Sequence, residues 1–89
     1  MIVPIEGYRF DTEKAKEHWE LMYHDGHNLL TGDLYLSSRG TWYVYTPSQW
    51  SNCHRWELID PETAVERYCD YLSQGEITEI LALAKLETE

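Results

Sequence analysis

The sequence predicts an α+β domain in which a small antiparallel sheet of three to five strands packs against one or two C-terminal helices. Two observations support this class. Short β-rich runs separated by turn residues occupy the first two thirds of the chain, and helical periodicity fills the last third. With 89 residues, 43% hydrophobic and 26% charged, we expect residues 1–89 to form a single compact domain.

The first strand is predicted over residues 2–10, as a short edge-type strand broken at Pro4 and Gly7. Asp11 or Thr12 then caps a helical turn over residues 12–16. Residues 17–23 fit a strand, which we favour, and also fit a helical face, so both alternatives stay open. Turn residues follow at 24–28 and again at 31–33, where loops are expected.

A hairpin is the clearest element of the chain. Its strands are predicted at residues 34–36 and 42–45, and Gly40 supplies the positive φ of the connecting turn. Strand alternation places Trp42 and Val44 on one face, and Tyr43 and Tyr45 on the other. A loop from residue 47 to about 52 leads to a further strand over 55–59.

The C-terminal third is predicted to be helical. Asp60 is a strong N-cap and Pro61 suits the first helical position. Gly75 is expected to end this helix or its turn, and a second helix is expected to reach about Leu86. The first helix carries an apolar stripe, formed by Ala64, Val65, Tyr68, Cys69 and Leu72.

Composition excludes several classes of function. Sixteen acidic against seven basic residues give a net charge of −9, so direct binding to nucleic acid is not expected. No apolar run reaches the length of a membrane span and the first residues lack signal-peptide features, so we expect a protein without a membrane partner. Two cysteines do not make a disulfide framework and fit a cytoplasmic location.

Chemistry-bearing motifs are weak. His24, His27 and Cys53 offer soft metal ligands without zinc-site spacing, and polar turn residues explain the histidines more simply. Cys69 lies on the apolar stripe, where a buried structural cysteine is expected. No phosphate-binding loop or nucleophile elbow occurs, so we expect a protein that is not an enzyme and has no cofactor or metal.

Charge is unevenly distributed along the chain. Residues 1–56 have a net charge of −2 and residues 57–89 a net charge of −7. Within the predicted helix, Glu62, Glu66 and Asp70 recur every four residues and should form a row about 6 Å apart, which suits a basic groove built for nucleic acid. Glu76 and Glu79 continue the acidity. A merely solvated face is the alternative.

Aromatic residues crowd the central region, where they are needed to fill the core. We expect an exposed tyrosine-rich face on the hairpin, formed by Tyr35, Tyr43 and Tyr45, because tyrosine is enriched where proteins recognise one another. Base stacking by these rings is disfavoured, since only Arg39 and Arg55 are near.

Three short motifs resemble a group of small uncharacterised bacterial proteins. The run from Gly7 to Ala15 is similar to their opening strand and Tyr/Phe-Asp-Thr-x-x-Ala turn. Leu34-Tyr35 with Gly40-Thr41-Trp42 resembles their Leu-Tyr…Gly-x-Trp hairpin, and Leu58-Ile59 with Glu62-Thr63-Ala64 their closing strand and acidic helix. The resemblance implies a protein often carried by phages and other mobile elements, with no catalytic residues.

The leading hypothesis is a non-enzymatic protein-binding module whose acidic helical face docks onto a host or element-encoded protein, for which a basic nucleic-acid-binding protein is the candidate. Its sharper form is an anti-CRISPR or anti-restriction antagonist acting by nucleic-acid mimicry. The alternative is a self-associating accessory domain, a homodimer formed through the tyrosine-rich hairpin, with a small enzyme or metal protein third.

Overall fold

The computed structural model describes residues 1–25, 28–47 and 55–84, with residues 23–25, 28 and 29 described by their backbone alone. Strands come first and helices last in this part of the chain, which confirms the predicted α+β class. The strands are β1 Ile2–Ile5, β2 Tyr8–Asp11, β3 Glu17–Asp25, β4 Asn28–Leu36, β5 Trp42–Thr46 and β6 Arg55–Leu58; the helices are α1 Pro61–Tyr68 and α2 Gln74–Leu83, with 3₁₀ turns at Thr12–Lys14 and Cys69–Tyr71.

The strands form two antiparallel sheets. β1 and β2 make a two-stranded hairpin, and the larger sheet has the order β3-β4-β5-β6. The hairpin explains the break predicted near Gly7, which turns with a φ of 87°. Pro4 pairs with Arg9 within the hairpin, so a residue without an amide proton is kept out of the larger sheet.

The segment from 17 to 36 decides between the alternatives left open by the sequence. Residues 17–25 are a strand, as favoured, and the turn expected at 31–33 is wrong because β4 runs straight through it. Gly32 pairs with Leu21, a fully buried residue, while Thr31 on the opposite face is exposed. Thr31 therefore points to solvent and Gly32 lies on the buried face, which is the alternation expected of a strand.

The larger sheet has two differently covered faces. The helices cover one face, where the main core is built from both strands and helices: Trp19, Leu21, Leu34, Leu36, Trp42, Val44, Ala64, Tyr68, Leu72 and Ile80. The β1–β2 hairpin packs on part of the other face, which we call the outer face. Here Val3, Ile5 and Phe10 enclose Tyr43.

The helical third differs from expectation at its caps and joints. Asp60 occupies the N-cap position with Pro61 behind it, but its side chain makes no capping hydrogen bond. Gly75 does not end a helix; it lies in the first turn of α2, after a cap at Ser73. α2 ends at Leu83, and Leu86 lies outside the described residues. Neither helix of the described ranges has the length and apolarity needed to cross a membrane.

Cys69 is exposed rather than buried, so the prediction of a core cysteine is wrong. α1 ends one residue earlier, at Tyr68, whose φ of −114° and ψ of 15° depart from helical values. The chain then continues as a 3₁₀ turn, which changes the direction in which residues 69–71 project. The apolar stripe therefore holds at Ala64, Tyr68 and Leu72 and skips Cys69.

Candidate functional site

Exposed carboxylates occur on both helices and on the 3₁₀ turn between them. Between residues 57 and 84 the sequence has seven acidic residues and a single basic one, Arg67. Glu62 and Glu66 are exposed and one turn apart on α1, and Glu79 is exposed on α2. Together with Asp70, these three residues form what we call the acidic surface.

The predicted single row is wrong at its third member. Asp70 is exposed, as expected, but it belongs to the 3₁₀ turn after α1 and does not continue the α-helical spacing of Glu62 and Glu66. A row of two carboxylates on α1 is therefore followed by an offset third. The acidity is retained while its regular pitch is lost.

Glu76 has a structural task that the sequence reading missed. Its carboxylate accepts a hydrogen bond of 3.0 Å from the backbone N–H of Ser73, and the Ser73 hydroxyl accepts one of 3.2 Å from the backbone N–H of Glu76. This reciprocal capping box begins α2. The spacing Ser-x-x-Glu at 73–76 is the signal that predicts it, so Glu76 is excluded from the acidic surface.

The one basic residue of this region is drawn away from the exposed carboxylates. Arg67 donates from a guanidinium nitrogen to Oε1 of Glu57 over 3.0 Å, and its guanidinium carbon lies 5.9 Å from the centroid of the Tyr68 ring. Glu57 is itself half-buried on β6. Among the described residues, no ion pair uses a carboxylate of the acidic surface.

The three tyrosines predicted for the aromatic face do share the outer face. β4–β5 pairing sets Tyr35 opposite Tyr43, and Tyr45 lies two residues further along β5. The rings of Tyr35 and Tyr43 stack with centroids 4.9 Å apart, and Tyr45 contacts Trp56 on β6 with centroids 4.7 Å apart. Alternation therefore places these side chains correctly.

The expectation that Tyr43 lies on an exposed binding face is nevertheless wrong, because its exposure is 0%. Phe10 of the β1–β2 hairpin stacks on it at 4.5 Å, and Tyr35 covers its other side. Tyr35 and Tyr45 are each half-buried. The aromatic cluster is thus mainly the second core of the protein, between hairpin and sheet.

Burial has an electrostatic consequence for these rings. It raises the pKa of Tyr43 to about 12, with smaller contributions from Tyr35 and Asp11. Burial, followed by the charge of Asp33, also raises the pKa of Tyr35. The Tyr43 hydroxyl has no hydrogen-bond partner among the described residues, so it is a buried polar group without compensation.

A histidine–carboxylate pair between β3 and β4 was not predicted from the sequence. His18 Nε2 donates to Asp33 Oδ1 over 2.7 Å, and the His18 ring stacks on Tyr35 with centroids 4.6 Å apart. Strand alternation predicts that His18 and Asp33 share a face only if Asp33 belongs to a strand, whereas a turn was predicted there. The Asp33 carboxylate and the Tyr35 ring together fix the orientation of the His18 imidazole.

Among the side chains that the structure describes, no group of three histidine, cysteine, aspartate or glutamate residues could hold a metal ion. His27 and Cys53 lie outside the described residues, as does the side chain of His24.

Comparison with known proteins adds no relative to this geometry. No protein-family model, no curated protein and no solved structure matches the chain. The acidic surface and the aromatic cluster are therefore interpreted from their own contacts and charges.

Proposed function

We propose that this protein is a non-enzymatic protein-binding module whose acidic surface docks onto a basic partner. The observation that carries the proposal is the charge of Glu62, Glu66, Asp70 and Glu79, which form no ion pair within the described residues, while Arg67, the one basic residue between positions 57 and 84, is paired with Glu57. Clustered charge of one sign attracts an oppositely charged partner over a Debye length of about 10 Å at 0.1 M salt.

The partner that best fits this surface is a protein whose own ligand is nucleic acid. Its groove presents lysine and arginine to phosphates, and exposed carboxylates on a rigid helix offer the same sign of charge. Neither Glu62 nor Glu66 is committed to a hydrogen bond within the described residues, so docking would break no internal contact. The sharper form of the proposal is an antagonist of host defence, of the anti-CRISPR or anti-restriction kind, that occupies such a groove.

The experiment begins with capture of host proteins on the immobilised chain at low salt, followed by elution with duplex DNA. The captured protein is then purified and its Kd measured at two salt concentrations. We expect affinity to fall steeply with salt, and duplex DNA to compete for the same partner.

Charge reversal supplies the decisive comparison. The variant Glu62→Lys/Glu66→Lys/Asp70→Lys should weaken binding by roughly two orders of magnitude, because each contact changes from attraction to repulsion. A matched control, Glu6→Lys/Glu13→Lys/Glu20→Lys, changes the net charge equally at exposed positions outside the helices. Equal effects of the two variants, or no effect of the first, would refute the proposal.

Self-association is the second candidate, through the edge strand β3 instead of the tyrosine-rich hairpin. The tyrosine-rich hairpin is unsuited to it, since Tyr43 is buried and β5 is an inner strand. β3 is an edge of the sheet and is nine residues long, and an edge strand is a template for pairing with a second chain. Light scattering over a concentration series tests it: a dimer that is disrupted by Met22→Lys, which puts a charge on an exposed residue of β3, but not by Tyr45→Ser, would favour this candidate.

A further inference from the structure

A cavity of about 290 Å³ lies between the β1–β2 hairpin and the β4–β5 turn, and no described residue of α1 or α2 lines it. Three of the chain's seven lysine and arginine residues line it: Arg9, Lys14 and Arg39. In a protein with a net charge of −9, this is a marked local concentration of positive charge.

The charged groups of these residues are unpaired in the described part of the chain. Among the described residues, none of the ion pairs involves Arg9, Lys14 or Arg39, and all three side chains are exposed at the cavity. One carboxylate, Asp11, also lines the cavity. It is engaged elsewhere, since it accepts a hydrogen bond of 3.1 Å from the Glu13 backbone N–H at the start of the 3₁₀ turn.

Arg39 is held by a well-bonded turn. The Ser37 backbone N–H donates to the Thr41 carbonyl over 2.8 Å, and the Gly40 N–H donates to the Ser37 carbonyl over 3.0 Å. The Ser37 hydroxyl accepts from the Thr41 N–H over 2.9 Å and keeps its own proton to donate. A rigid turn thus presents a guanidinium and a hydroxyl donor to the same space.

We propose that this cavity binds the phosphate group of a small phosphate monoester. Guanidinium groups bind phosphate oxygens in bidentate fashion, and a monoester carries a charge of about −1.5 to −2 at neutral pH, which matches the surplus of cations over carboxylate here. A single carboxylate would neutralise only half of that surplus.

The remaining volume accommodates an organic group. At about 290 Å³ the cavity is close to the lower end of the range of small-molecule pockets, about 300–1,000 Å³. Tyr8 lines the same space with its ring 65% exposed, and it lies beside Phe10 with centroids 6.3 Å apart. An exposed aromatic ring next to the cations offers a flat surface for a nucleobase.

Isothermal titration of the full chain with adenosine monophosphate, inorganic phosphate, adenosine and malonate tests the proposal at low salt. We expect saturable binding of adenosine monophosphate, weaker binding of phosphate, and little of adenosine or malonate. Failure of adenosine monophosphate to bind overturns the proposal. If inorganic phosphate binds as tightly as adenosine monophosphate, the organic group makes no contact. If adenosine or malonate binds as tightly as adenosine monophosphate, the cavity does not recognise phosphate. Either result refutes the proposal as stated.

Variants locate the site. Arg9→Gln and Arg39→Gln should each weaken binding of adenosine monophosphate about tenfold or more, since each removes a charge-assisted contact. Arg55→Gln removes the same charge from an exposed residue of β6 that does not line the cavity, and should leave binding unchanged. If Arg55→Gln weakens binding as much as the other two, the effect is one of net charge and the site is refuted.

Discussion

The ring of Phe10 stacks on the ring of Tyr43 with centroids 4.5 Å apart, and this contact fastens the N-terminal hairpin to the four-stranded sheet. Phe10 is the single phenylalanine of the chain, and both rings are buried. The contact explains why an apparently surface-facing tyrosine belongs to a core.

Phe10→Ala should lower the free energy of unfolding by about 3–5 kcal/mol, because it leaves a cavity against Tyr43. Urea unfolding followed by tryptophan fluorescence measures the change. Tyr8→Ala, which truncates an exposed ring of the same strand, serves as the control and should cost much less. Equal losses would mean that the hairpin is not anchored through Phe10.

Tyr43→Phe should be neutral or stabilising by about 1 kcal/mol near neutral pH. The hydroxyl it removes is buried without a partner, and leaving such a group unpaired costs about 1–3 kcal/mol. Thermal or urea unfolding decides the point. A clear loss of stability would show that this hydroxyl has a partner in solution.

The same residue makes the fold sensitive to alkali. Its pKa is about 12 in the folded chain and about 10 unfolded, so between these values the unfolded chain loses the proton first. Stability should fall by on the order of 2 kcal/mol as the pH rises through this window. In Tyr43→Phe this loss of stability should be smaller, and Tyr35, whose pKa is also raised, accounts for part of the loss that remains. The control Tyr8→Phe changes an exposed tyrosine and should show the same loss of stability as the unchanged protein.

Glu76→Ala should lower stability by about 0.5–2 kcal/mol, because it breaks the capping box with Ser73. Glu76→Gln keeps an acceptor for the Ser73 N–H while removing the charge, so it should cost less. Neither variant should alter binding through the acidic surface. A binding defect in Glu76→Gln would return this residue to the interface.

Two glycines should respond oppositely to alanine. Gly40 has a φ of 88°, which an L-residue adopts at a cost of about 1–2 kcal/mol, so Gly40→Ala should destabilise the hairpin. Gly75 lies within α2, and a Cβ there would meet only the Ser73 hydroxyl oxygen at 3.9 Å. Gly75→Ala should therefore stabilise by about 0.5–1 kcal/mol, and thermal unfolding of both variants checks the contrast.

Local chemistry was sufficient for much of the fold. Alternation separates Trp42 from Tyr43 on opposite faces, and the structure confirms it. Gly40 marks its turn, because a positive φ is a local demand. The prediction of a turn at 31–33 was wrong because Gly32 lies in a strand and pairs with Leu21. Leu21 lies eleven positions earlier in the chain, so this pairing is not visible in the local sequence.

The site shows the same division. Exposure of Glu62 and Glu66 follows from helix periodicity, but the offset of Asp70 depends on where α1 gives way to a 3₁₀ turn. Arg67 was not predicted to pair with Glu57, since that contact joins α1 to β6. Nor does the sequence reveal that Arg9, Lys14 and Arg39 line one cavity, because β2 and the following 3₁₀ turn are distant in sequence from the β4–β5 turn that completes it.

By itself, then, the sequence determined the α+β class, the alternation of the β5 faces and the acidic character of the helical third, all of which depend on residues within a few positions of each other. Only the tertiary structure decided which element covers each face of the sheet. The hairpin folds over Tyr43 because burying Phe10, Val3 and Ile5 removes apolar surface from water, and that gain exists only when distant segments meet.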